Sequence, residues 1–273
     1  PAFTGSFAGQ QGMEWRYGIV DNLNVKFNNI ADQPLALTVG RQDIAIGDYW
    51  NWWLVADGTP NDGSWTYFLD SARLNFEAKE IKTKFDVTYV YQSALPDEWL
   101  PTLDQPHNGR DILPYLPPGG YYNYYLTEQN EQGVIAYVSN KSLKNTTVEG
   151  FFIYKRDDKE IANGDDANIY TVGGRVHGTL ADHWQYSAEG AYQFGEKRDT
   201  LRVPTTSTAW RDIDAFGANA RLTYLFKDKL NNQLQLQYEY LSGDDSGTGN
   251  DEMFDILWGR WPRWSELYIY SYA

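Results

Sequence analysis

Two segments that otherwise alternate like β-strands contain charged side chains whose chemistry is that of ion binding. The first segment contains Gly40-Arg41-Gln42-Asp43, and the second contains Asp70-Ser71-Ala72-Arg73. An arginine beside a carboxylate either holds a passing anion loosely or forms an internal salt bridge. In a water-soluble sandwich these arginines would be hard to bury, whereas a barrel with a wet interior has room for them.

The elements that position these residues are predicted to be β-strands, because apolar and polar residues alternate along most of the chain. Near the C-terminal end, for example, Leu234, Leu236 and Tyr238 alternate with glutamines. Such runs recur about eleven times at about ten residues each, the length that a tilted strand needs to cross a bilayer. Two of them, near 130–139 and 146–156, have apolar residues at both odd and even positions, so the pattern does not show which side chains face the interior.

The connections between the runs are alternately short and long, which is typical of an outer-membrane barrel with its longer loops on one side. We therefore predict an all-β fold, an antiparallel transmembrane β-barrel, with residues 1–273 forming a single outer-membrane domain. Because single-chain barrels have even strand numbers, about eleven strands indicate a fragment that lacks strands at both ends. A soluble sandwich would also alternate, but it would not usually place its long loops on one side throughout.

Composition excludes several classes of function. The net charge of −14 argues against nucleic acid as a partner, and the absence of cysteine excludes disulfides and thiolate metal sites. The three histidines, His107, His177 and His183, show no metal-ligand spacing, and no serine nucleophile motif accompanies them. The sequence therefore predicts no enzyme, no metal site and no cofactor.

The opening motif resembles a known family once the residues after it are included. Gly-Arg-Gln at 40–42, Gly47-Asp48, a Trp-rich loop and Asp-Ser-Ala-Arg-Leu at 70–74 are similar to the alginate-export family of outer-membrane porins. The segment FDILWGRWPRWSELYIY at 254–270 is also similar to that family. The chain departs from the family pattern at Ile46, where tyrosine is usual, and at Ser71, where glycine is more common. The resemblance implies a barrel of about eighteen strands with a narrow charged lumen that passes acidic polysaccharide or small solutes, without catalysis.

Strand parity gives candidate pore-lining residues. The apolar parity changes between Leu35 and Gly47, which predicts a β-bulge near Gly40 that turns Arg41 inward. A charge facing lipid at mid-bilayer would cost about 2–4 kcal/mol, so charged residues are assigned to the lumen. The candidate anion path consists of Arg16, Arg41, Arg73, Lys82, Lys84, Arg175 and Arg221, and the candidate arginine-orienting acids are Asp43, Asp70 and Glu77.

Two interpretations of these charges stay open: a basic ladder that selects anions, and arginines that only brace the barrel wall. The long loop Ser93–Gln129 is a candidate lid or constriction. The aromatic residues of the loops either stack on sugar rings or belong to an interfacial girdle and loop packing; they include Trp50, Trp52, Trp53, Trp258 and Trp261. The acidic residues of the loops fit solvated surface better than a Ca²⁺ site.

The sequence thus predicts a bacterial outer-membrane porin for passive, selective passage of anionic solutes, with acidic polysaccharide as one candidate. The expected partners are outer-membrane lipid and lipopolysaccharide, and an anionic saccharide or small anion. A general or sugar-uptake porin is one alternative, and cation preference in a planar bilayer would favour it. A soluble carbohydrate-binding β-sandwich is the other, and it predicts a protein that stays monodisperse without detergent.

Overall fold

One antiparallel sheet of ten strands makes up most of the structure, a computed structural model that describes residues 22–44, 69–94, 129–160, 164–198, 210–245 and 247–258. The backbone of two short paired strands, β1 (Ala2–Phe3) and β2 (Met13–Glu14), is also described. The large sheet contains β3 (Leu23–Phe27), β4 (Leu35–Gln42), β5 (Leu69–Ala78), β6 (Thr83–Gln92), β7 (Gln129–Asn140), β8 (Thr146–Lys159), β9 (Ala167–Leu180), β10 (Trp184–Arg198), β11 (Trp210–Leu225) and β12 (Gln233–Leu241).

Each strand from β4 to β11 pairs with the strand before it and the strand after it in sequence, and β3 and β12 are the edge strands. The order runs from β12 to β3 without a crossover, and every pairing is antiparallel. In the described part of the chain the sheet is open at β3 and β12. The predicted all-β antiparallel class is therefore confirmed, and ten of the predicted runs are strands of this sheet. The last run, 267–272, lies outside the described residues.

The connections at one end of the sheet are tight. They lie at 28–34, 79–82, 141–145, 181–183 and 226–232, and several of their residues have left-handed backbone angles, including Asn145 at φ 56° and Ala181 at φ 54°. Their helical content is limited to single 3-10 turns at Ile30–Asp32 and Lys79–Ile81. Among the described residues, no helix has the length and apolar character needed to cross a membrane.

The two faces of the sheet carry opposite kinds of side chain. On one face, the apolar face, large hydrophobic residues are exposed, among them Phe76, Val87, Phe152, Val172 and Phe216. On the other face, the polar face, charged and amide side chains are buried, among them Asp86, Glu149, Arg175, Glu189 and Gln193. A water-soluble protein buries its hydrophobic residues instead. An extended apolar surface of this kind is the mark of a membrane or protein interface, and its alternation with an inner polar surface is that of a transmembrane barrel.

Replacing Val172 by arginine tests whether lipid or water covers the apolar face. Val172 lies near the middle of β9 and is exposed. A charge at mid-bilayer should cost about 2–4 kcal/mol and reduce the fraction of protein that folds into lipid vesicles. The matched control is Leu143→Arg, because Leu143 is also an exposed apolar residue but lies in the tight connection 141–145. Equal insertion of the two variants, measured by protease protection in vesicles, would contradict a lipid-facing surface.

The predicted β-bulge at Gly40 is wrong. The pairing of β4 with both neighbours is continuous, with Gly40 opposite Asn24 on one side and Ser71 on the other, so no residue is inserted. Gly40 instead has φ +124°, and a Cβ there would lie 2.4 Å from the carbonyl oxygen of Leu23. The predicted change in which residues face the interior does occur at this position. Arg41 and Gln42 are consecutive and both buried, whereas strict alternation would bury only one of them. A glycine backbone angle, rather than an extra residue, accompanies the switch.

Candidate functional site

Arg41 and Asp70 form a buried ion pair at the long-loop end of β4 and β5. The two residues are directly opposite in the strand pairing. Nε of Arg41 donates to Oδ1 of Asp70 at 2.8 Å, and the terminal nitrogen donates to Oδ2 at 3.0 Å. Arg41 is 1% exposed, so its charge is held almost entirely inside the protein. Asp70 thus orients Arg41 through the two-pronged contact that suits a guanidinium.

Arg73 is held by Asp86, a residue outside the predicted set of orienting acids. Nε of Arg73 donates to Oδ2 of Asp86 at 2.7 Å, across the β5–β6 pair. Asn75 donates to the same oxygen at 2.7 Å, and the Thr88 hydroxyl donates to Oδ1 at 3.1 Å. Asp43, which was predicted to orient an arginine, instead accepts a hydrogen bond from Asn22 at 3.1 Å and is exposed.

The predicted pore residues near the tight connections, Glu77, Lys82 and Lys84, lie apart from the buried arginine pairs. Glu77 and Lys84 are opposite each other on β5 and β6, with their charged atoms 4.0 Å apart and both side chains well exposed. Lys82 lies in the connection itself with φ 50°, so it belongs to the rim and not to the strand wall. At this exposure, salt bridges contribute little to stability.

A second buried network is centred on Glu149 of β8. The terminal nitrogen of Arg175 lies 3.4 Å from Oε2 of Glu149, and the hydroxyl of Tyr137 donates to Oε1 at 2.8 Å. His177 lies 3.5 Å from the same oxygen, and Nε of Arg175 also donates to the Ser187 hydroxyl at 3.2 Å. The predicted Arg221 is partly buried on β11 and is opposite Ser187, so it lies beside this network.

The structure adds a cluster that the sequence patterns do not reveal. Nζ of Lys155 lies 3.1 Å from Asp157 and 3.5 Å from Glu131, and all three side chains are buried. The indole nitrogen of Trp258 donates to Glu131 at 3.1 Å, and the Trp258 ring centroid is 5.9 Å from Nζ of Lys155. Glu131 and Lys155 lie in the two runs with apolar residues at both odd and even positions, so the sequence pattern does not show which face of the sheet these two side chains occupy. The only signal was that Glu149, Lys155 and Asp157 share one parity.

Several predicted residues cannot be placed. Arg16, Trp50, Trp52, Trp53 and Trp261 lie outside the described residues, as does most of the candidate lid, 95–128. Trp258 is the described member of the aromatic set. It is 7% exposed and packed in the interior, which agrees with loop packing rather than with an open stacking surface.

On the described polar face, arginines are paired with carboxylates. Three arginines of this face, Arg41, Arg73 and Arg175, each contact a carboxylate on a neighbouring strand. Such pairs brace a wall, and they also leave each cation with reduced affinity for a passing anion. The described residues contain no group of His, Asp or Glu arranged to hold a metal ion.

Comparison with known proteins adds the family. The family model described as alginate export matches residues 126–272, which is more than half of the chain. The match covers the strands from β7 to β12 and the segment 254–270, whereas the opening motif at 40–74 lies outside it. A search of curated proteins found no significant match. The chain therefore belongs to the alginate export family.

Proposed function

We propose that the protein is an outer-membrane channel for passive, selective passage of anionic solutes, with acidic polysaccharide as the candidate substrate. The observation that carries the proposal is the inversion of the sheet: buried charges lie on one face and exposed hydrophobic residues on the other. An outer-membrane strand needs this arrangement, because lipid covers one face and water or loops cover the other. Membership in the alginate export family supports both the location and the substrate class.

The proposed mechanism uses successive weak sites for carboxylates. Arg41, Arg73, Arg175 and Arg221 lie on four different strands, so they would offer separate positions along the wall. The paired acids would keep each arginine oriented and prevent tight capture of a passing anion, which conduction requires. Among the three wall arginines that pair with a carboxylate, Arg73 is the best candidate for solute contact, because its side chain is 23% exposed whereas Arg41 and Arg175 are each 1% exposed.

Arg73→Gln tests this mechanism by measurement of the reversal potential under a salt gradient in a planar bilayer. Loss of a unit charge about 7 Å from a passing ion in water raises the energy of an anion and lowers that of a cation by about 0.6 kcal/mol each, which is a factor of about three for each ion. The anion-to-cation permeability ratio should therefore fall about sevenfold. The matched control is Arg156→Gln, because Arg156 forms a similar pair with Asp158 but lies on the exposed parity of β8. The control should leave the ratio unchanged.

The outcomes separate the candidate functions. A wild-type channel that prefers cations would rule out the anion path and favour a general or sugar-uptake porin. A wild-type preference for anions that survives Arg73→Gln would leave anion passage standing and remove Arg73 from the path. A protein that stays monodisperse without detergent and forms no channels would contradict the membrane proposal altogether.

A further inference from the structure

The segment 251–258, which we term the crossing segment, lies across the polar face of the sheet. It begins beside β11, where the amide of Asp251 donates to the Asp212 carbonyl at 2.8 Å and the amide of Asp214 donates to the Asp251 carbonyl at 3.0 Å. It ends over β7, where Trp258 donates to Glu131 at 3.1 Å. The crossing segment therefore extends over the strands from β11 to β7.

Gln193 of β10 fixes the middle of the crossing segment. Its side-chain nitrogen donates to the carbonyl of Asp255 at 2.6 Å, and its side-chain oxygen accepts from the amide of Asp255 at 2.8 Å. Gln193 is fully buried and also donates to the Thr171 hydroxyl at 3.1 Å. One side chain thus satisfies both the carbonyl and the amide of Asp255. These two hydrogen bonds fix the position of the segment over β10.

The underside of the crossing segment is apolar and matches the wall beneath it. Phe254, Leu257 and Trp258 are buried, and they pack in one cluster with apolar residues of the polar face. Those wall residues include Ile135, Ile153, Ile169, Ala191, Ile213 and Ala215. The same cluster continues beyond the covered strands to Val90 of β6 and to Ile44 just after β4. Burial of each large apolar side chain contributes about 1.5–3 kcal/mol, which holds the segment in place.

Two glycines of the wall leave room for the rings above them. A Cβ on Gly133 would lie 2.7 Å from a ring carbon of Trp258, and one on Gly217 would lie 3.1 Å from the ring of Phe254. Both rings thus lie against the backbone of the sheet and not on a layer of side chains. The wall therefore accommodates this segment at Phe254 and at Trp258.

We propose that the crossing segment is a fixed constriction that sets the width of the channel, anchored by Gln193 and by Trp258. The inference rests on the proposed function, since the polar face is the lumen wall only if the sheet surrounds a channel. A peptide segment across the lumen side of five neighbouring strands occupies cross-section that a solute would otherwise use. The remaining opening would admit an extended, unbranched chain more readily than a branched or compact solute.

Trp258→Ala in the full chain, recorded as single-channel conductance in a planar bilayer, tests the constriction. Release of the anchor should widen the opening, so we expect conductance to rise by about half or more, with larger poly(ethylene glycol) molecules able to enter. The matched control is Trp184→Ala, because Trp184 is exposed at the start of β10 and lies outside the crossing segment. The control should leave conductance at the wild-type value.

Gln193→Ala is the second variant, because it removes the central anchor and keeps the apolar cluster. We expect a smaller rise in conductance together with greater current noise from a looser segment. Wild-type conductance in both Trp258→Ala and Gln193→Ala would overturn the constriction while the proposed channel stands. Absence of channels in the wild-type protein would instead contradict the proposed function.

Discussion

Replacing Lys155 by methionine is expected to destabilise the protein by about 3–5 kcal/mol, the usual cost of breaking a buried ion pair by removing one partner. Lys155 is 3% exposed, and its ammonium group lies between the carboxylates of Glu131 and Asp157. Methionine keeps most of the side-chain volume, so the change removes the charge with little effect on packing. Two buried carboxylates would then face each other without the cation that compensates them.

The loss should appear as a lower urea midpoint for unfolding from detergent micelles or vesicles, followed by the change in gel mobility between folded and unfolded protein. The matched control is Lys84→Met, because Lys84 is 60% exposed and 4.0 Å from Glu77, and it should change stability by less than about 0.5 kcal/mol. Neutralising both acids as well, with Glu131→Gln and Asp157→Asn, should recover much of the loss. A midpoint for Lys155→Met equal to that of Lys84→Met would contradict the role of Lys155.

Removing Asp70 is the second change with a large expected effect, about 3 kcal/mol or more for Asp70→Ala. The Arg41 guanidinium is almost fully buried and would lose its two-pronged partner, with hydrogen bonds now at 2.8 and 3.0 Å. Because the pair lies at the long-loop end of neighbouring strands, the same change should loosen the pairing of β4 with β5 locally. Faster hydrogen exchange at the amides of this strand end would report that loosening.

A double-mutant cycle separates the pair itself from the other contacts of each residue. Arg41→Ala, Asp70→Ala and the double variant should give a coupling energy above about 1.5 kcal/mol in urea unfolding. Arg156 and Asp158 provide a matched cycle, because this pair has the same two residue types and similar hydrogen-bond lengths of 3.0 and 2.7 Å. That pair is exposed, so its coupling should be below about 1 kcal/mol. Equal coupling in the two cycles would show that burial does not strengthen the Arg41–Asp70 interaction.

The positions of the strands and the two-faced character of the sheet were predictable from the sequence. Alternation with a period of two residues identifies strands such as β10 and β12 directly, since successive side chains of a strand point to opposite faces. The cost of a charge in lipid then favours the polar face for Arg73 and Arg175, where the structure has them. Five of the nine strand pairs are joined by tight turns, which pair their strands antiparallel. The other four follow the general rule that strands consecutive in sequence lie next to each other.

The partners of the charged residues were less predictable. Asp70 is opposite Arg41 because the register of β4 with β5 places it there. Asp86 rather than Asp43 binds Arg73. The register of β5 with β6 brings Asp86 to Arg73, whereas Asp43 lies beyond the end of β4 and contacts Asn22. Register is set by turn geometry and by the whole pattern of both strands, so a motif within one strand does not contain it.

What the sequence by itself determined is the set of strands, their order and the face on which most charges lie, because these follow from local alternation and from the cost of burying charge in lipid. What only the tertiary structure decided is the interior. Residues 130–139 and 146–156 are apolar on both parities because the crossing segment covers one face and the exposed apolar surface occupies the other. That coverage joins Trp258 to Glu131 across a long stretch of chain. A contact such as this one, between distant parts of a chain, cannot be read from the pattern of either part alone, and the Glu131–Lys155 and Arg41–Asp70 pairs likewise join different strands.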